Sequence, residues 1–86
     1  MLVTAVYRPA TVLFRNQESG SARVTGAETN AEIRVYNNTT AEHVQTVIAN
    51  EFGIVNIGGF TQGVSLYVKQ VVNGVESDKS AIVTIQ

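Results

Sequence analysis

The sequence predicts an all-β protein, an antiparallel sandwich of short strands, and three observations predict it. The stretch from Asn50 to Gln86 reads as three strands joined by tight turns. Within it, Asn73-Gly74 separates two strand-like runs. That dipeptide tolerates the positive φ angles that a two-residue hairpin turn demands. Strand signals also recur about every 8–12 residues along the chain, the spacing of a sandwich.

The elements follow in order. Leu2–Arg8 is the first candidate strand, stopped by Pro9, which has no N–H to give a ladder. Thr11–Arg15 comes next and is closed by the polar run from Asn16 to Ser21. Ala22–Thr25 ends at Gly26. Ala31–Tyr36 alternates cleanly: Ala31, Ile33 and Val35 point to a core, while Glu32, Arg34 and Tyr36 point away. Asn37-Asn38-Thr39-Thr40 is a turn, and its two overlapping N-x-T sequons are explained by that turn. Val44–Ala49 reads as a strand because it is rich in β-branched residues. A helix over residues 40–50 competes with it, since Ala41, Val44 and Ile48 fit helical spacing. Phe52–Ile57 leads through Gly58-Gly59 and Gln62-Gly63 to a long strand over Val64–Val72. There Leu66, Val68, Gln70 and Val72 share one side and Ser65, Tyr67, Lys69 and Val71 the other, with Leu66 and Val68 in the core. After a polar loop over Glu76–Lys79, Ala81–Ile85 closes the fold and adds Ile82 or Val83 to the core.

Eighty-six residues make one domain, residues 1–86. A chain of this size buries only about 60–65% of its unfolded surface, so its core is modest. Residues 1–20 are expected to add an edge strand or to form an arm that reaches a partner. The net charge of −1 comes from six basic and seven acidic residues without a basic cluster, which speaks against nucleic acid. No apolar run approaches the roughly 18–20 residues of a membrane helix. With no cysteine, disulfides and thiolate chemistry are excluded. The N-terminus lacks the basic, apolar and small-residue regions of a signal peptide. With Met1 as the native start, synthesis and assembly in the cytosol are expected.

The order of these turns and strands resembles that of bacterial immunoglobulin-like domains. The chain supplies Val24-Thr25-Gly26, then Ala31-x-Ile33-x-Val35-Tyr36 and Asn50-x-x-Gly53-x-Val55-x-Ile57. Gly63-x-x-Leu66-x-Val68 and Asn73-Gly74-x-x-Ser77 complete the pattern over roughly Ala22 to Gln86. The resemblance implies an immunoglobulin-like antiparallel β-sandwich of about seven strands. Fibronectin type III domains share part of the pattern. The acidic calcium-binding positions of some bacterial immunoglobulin-like domains are missing, since Asp78 is the only aspartate.

Little in the chain suggests chemistry, so no enzyme and no cofactor is expected. His43 is the only histidine and reads as an exposed strand-edge residue. Ser77, Asp78, Lys79 and Ser80 read as a polar turn. Ile57-Gly58-Gly59-Phe60 lacks the lysine and helix of a phosphate loop. Tyr7, Tyr36 and Tyr67 are the candidate binding residues, because exposed tyrosines offer large contact area at low entropic cost. The family's known settings imply a non-catalytic module. A phage virion protein decorating a capsid or tail is expected, held by capsid or tail subunits or by self-association. An adhesion or spacer domain of a bacterial cell-surface protein is the alternative, with a cell-surface glycan as a further candidate partner.

Overall fold

The computed structural model of the chain describes residues 8–86, and every regular element among them is a strand. Tyr7 and the strand expected over Leu2–Arg8 lie, apart from Arg8, outside the described residues. Among the described residues, eight strands form two antiparallel sheets. The smaller sheet has the order β1-β2-β5, from Leu13–Asn16, Ala22–Thr25 and Val55–Ile57. The larger has the order β4-β3-β6-β7, from His43–Ile48, Glu32–Asn37, Ser65–Val72 and Val75–Glu76, with β8 (Val83–Thr84) also pairing with β6.

Alternation decides what each strand buries. Phe14, Ala22, Val24 and Ile57 of the smaller sheet meet Ile33, Val35, Leu66 and Val68 of the larger, all 4% exposed or less. Val12, Ala49, Val83 and Ile85 complete the cluster. Burying each large aliphatic side chain contributes about 1.5–3 kcal/mol, far more than an exposed ion pair such as Arg8–Asp78. Val83 takes the last core position and Ile82 stays outside.

One boundary moves and one alternative falls away. β1 begins at Leu13 rather than Thr11, because Leu13 faces Thr25, the last residue of β2, and Gly26 turns away with a φ of 75°. Residues 43–48 form a strand and no helix, since β3 offers them a complete ladder from Glu32 to Tyr36. The mixed phase of Val44, Val47 and Ile48 has a cause. Tyr36 faces His43 while Val35 faces Gln45, so Val44 is the extra residue of a β-bulge. Beyond it Val47 turns inward and Ile48 outward.

The segment after Asn50 holds four strands rather than three. Asn73 and Gly74, with φ of 52° and 79°, close a two-residue turn between β6 and the short β7. The chain then steps away from β6 and returns as β8. Ser77 and Ser80, expected in an exposed polar turn, are buried, at 3% and 4% exposure. Each hydroxyl is inserted into the ladder. The Gln70 N–H donates to Ser77 Oγ at 3.0 Å, and Ser77 Oγ donates on to the Asp78 carbonyl at 2.9 Å. Likewise the Val68 N–H donates to Ser80 Oγ at 3.0 Å, and Ser80 Oγ to the Ala81 carbonyl at 2.9 Å. Only Asp78 and Lys79 remain exposed at the tip.

Candidate functional site

The outer face of the larger sheet gathers the side chains that the core does not use. Its geometry follows from register. Tyr36 of β3 lies directly across from Tyr67 of β6, and Arg34 from Lys69. Facing residues on adjacent strands hold their Cβ atoms about 4.5–5.5 Å apart, close enough for rings to meet. The Tyr36 and Tyr67 rings stack, with centroids 5.2 Å apart and planes 12° from parallel. Two of the three expected tyrosines therefore form one feature.

Charged groups frame the pair. Lys69 Nζ lies 5.5 Å from the Tyr36 centroid, and Lys79 Nζ lies 5.3 Å from that of Tyr67. Each such contact contributes about 0.5–1 kcal/mol at an exposed site. The Tyr36 hydroxyl donates to Glu76 Oε2 at 2.6 Å, which pins the ring across the sheet. His43, one strand further out, tilts against Tyr36 at 5.4 Å. Its Nε2 sits 2.7 Å from Thr46 Oγ1 and 3.1 Å from the Gln45 carbonyl, so the ring is engaged by its own edge strand.

Arg34 and Lys69 would repel across the strands. Arg34 Nε donates to Glu32 Oε2 at 2.6 Å, and its Nη1 lies 3.7 Å from Glu76 Oε2, which offsets that repulsion. The Glu32 hydrogen bond, foremost, holds the guanidinium above its ordinary pKa. The Tyr36 hydroxyl and the Glu76 charge act the same way, against partial desolvation. Desolvation raises the Tyr36 pKa above 10.0, helped by the bond to Glu76 and opposed by Arg34.

This shift sets a pH dependence. Folding favours the neutral phenol, so its stabilisation is whole below about pH 10 and is lost as pH rises through the higher folded value. Tyr36→Phe is expected to flatten the fall in urea-unfolding stability between about pH 9 and about pH 11. Parallel curves for variant and wild type would remove Tyr36 as the cause.

Sequence reading missed Lys69, Lys79, Arg34, His43 and Glu76 as members of the site. The alternating phases of Glu32-Arg34-Tyr36 and Tyr67-Lys69 were visible, but the pairing of residue 36 with 67 was not. Among the described residues, no group of three His, Cys, Asp or Glu could hold a metal ion. Among the described residues there is no helix long and apolar enough to cross a membrane.

On the opposite side of the molecule, a shallow depression is lined by Arg15, Asn16, Gln17, Arg23 and Thr25. Arg15 faces Arg23 across β1 and β2, and Arg23 Nε donates to Asn56 Oδ1 at 2.9 Å. It holds no carboxylate, histidine or other group able to act as a general base.

No family model matches the chain, and no curated protein does. Among solved structures, the crystal structure of the rat CD45 extracellular region, domains d3-d4, is similar, with a TM-score of 0.54 and 15% sequence identity. The match covers 92% of this chain and 49% of that one, so the chain spans about half the length of this neighbour. At that identity the likeness speaks for architecture alone. Together with the two antiparallel sheets and the absence of helix among the described residues, it identifies the fold as an immunoglobulin-like β-sandwich.

Proposed function

We propose that this protein is a non-catalytic structural and binding module, a virion decoration component that meets protein partners through the outer face of the larger sheet. The observation that carries the reading is the Tyr36–Tyr67 stack, fixed by Glu76 and flanked by two ammonium groups. A rigid aromatic pair has little conformational freedom left to lose on binding. Arginine, tyrosine and lysine on one face, with Glu32 and Glu76 partly neutralising them, suit a protein surface carrying carboxylates and apolar patches. A glycan is a weaker fit, because each tyrosine ring already carries an ammonium group at about the cation–π distance.

The test is fractionation of the tagged protein in its own source. Wild type is expected in large particles, and Tyr67→Lys in the free fraction, while Arg15→Ser on the opposite sheet leaves the distribution unchanged. A wild-type protein found only free, or a Tyr67→Lys protein that stays with the particles, would overturn the reading. Recovery in the cell envelope would replace the virion setting with surface adhesion.

A further inference from the structure

We propose that a second copy of this chain pairs with the edge of β4 that no strand among the described residues covers, antiparallel and with Val47 on the two-fold axis, so that the larger sheets of two molecules become one. The inference goes beyond the aromatic face, which it leaves uncovered.

Exposed strand edges invite pairing unless they are blunted by brevity, charge, proline or irregularity. The other edges are blunted. β5 has three residues, β1 carries Arg15, and the β7–β8 margin is interrupted and bears Asp78 and Lys79. β4 differs, because neither it nor the two residues after it, to Asn50, include a lysine, arginine, acid or proline. Its bulge lies at Val44 and leaves residues 45–48 in regular register with β3.

Backbone direction is fixed by one bond. The Ala49 N–H donates inward to the Ala31 carbonyl at 2.9 Å. Antiparallel ladders alternate, so the backbone groups of Val47 also point into the sheet, and those of Thr46 and Ile48 point to the open edge. These are the positions a second strand would use. With Val47 on the axis, Thr46 of each copy faces Ile48 of the other, and both pairs can exchange two hydrogen bonds. Side-chain faces then agree as well. Ile48 is 58% exposed and would pack its β-branched side chain against Thr46 of the second copy. The two Val47 side chains, already packed against the core, would meet on the inner side. Gln45 would face Ala49, and no like charges would come together across the axis.

Analytical ultracentrifugation of the purified full chain tests this up to about 1 mM, where a small strand contact is populated. The mass is expected to rise from 9.2 kDa towards twice that value, with amide exchange at Thr46 and Ile48 slowing in step. Ile48→Lys and Thr46→Pro are each expected to abolish the rise. Ile48→Lys keeps the wild-type melting midpoint, since it places charge on an exposed site; Thr46→Pro stays folded, since it removes an N–H that faces solvent and one exposed side-chain contact, to His43. A monomer at every concentration would overturn the proposal. So would a dimer that survives both substitutions, or one lost only with Tyr67→Lys.

Discussion

Gly53→Ala is expected to destabilise the protein by about 3–5 kcal/mol, enough to leave much of it unfolded at physiological temperature. Two effects combine there. Gly53 has a φ of +73°, which costs a residue with a Cβ about 1–2 kcal/mol. A Cβ at this position would also stand 1.9 Å from the Ala27 carbonyl oxygen, a backbone atom that cannot swing aside. The neighbourhood gives little room for relief. The Ala27 N–H donates to the Gly53 carbonyl at 3.1 Å, and Asn50 Oδ1 accepts from the N–H groups of Phe52 and Ile54. Moving Gly53 therefore breaks the link between the loop after β2 and the turn before β5. Gly59→Ala is the control, since Gly59 has a φ of +82° but open space around its missing Cβ. It is expected to cost about 1 kcal/mol. Urea unfolding of both variants separates the clash from the dihedral. Equal losses would show that the close approach to Ala27 relaxes freely.

Gln70→Leu is expected to lower stability by about 2–4 kcal/mol, or roughly 10–25 °C in melting midpoint for a domain of this size. The residue is fully buried. Its Oε1 accepts from the Glu28 N–H at 2.9 Å, and its Nε2 donates to the Ala10 carbonyl at 2.6 Å. One side chain thus ties two loops, one ahead of β1 and one ahead of β3, to the central strand of the larger sheet. Leucine keeps most of the volume and removes both bonds, so lost hydrogen bonding accounts for nearly all of the cost. Gln62→Leu, on the surface, is expected to shift the midpoint by less than about 2 °C. A similarly small shift for Gln70→Leu, read by circular dichroism on heating, would mean that water replaces the amide without penalty.

Both residues illustrate what the sequence made legible. The core was readable, since Ala31, Ile33 and Val35 on one strand and Leu66 and Val68 on another obey a period of two and are buried. So was the Asn73-Gly74 turn, whose chemistry is local. Features that depend on a distant partner were hidden. Gln70 shares the core phase with Leu66 and Val68, yet its two bonds reach residues 42 and 60 positions away. The Tyr36–Tyr67 stack requires the register between β3 and β6, which alternation within each strand cannot supply. The bulge at Val44 shifted the phase of β4 and made a strand resemble a helical spacing. Ser77 and Ser80 carry the composition of a loop and are buried only because their hydroxyls complete a neighbour's ladder.

That last arrangement bears on how the segment between β7 and β8 finds its place beside β6. A ladder made of backbone groups alone is blind to residue identity, and only side-chain packing prevents it from slipping. Here Ser77 and Ser80, three apart, clasp Gln70 and Val68, two apart, through side-chain oxygens. The surplus residue is absorbed at the exposed tip. The position of the segment between β7 and β8 is thereby written in two specific side chains, an address that a shifted alignment could not reproduce.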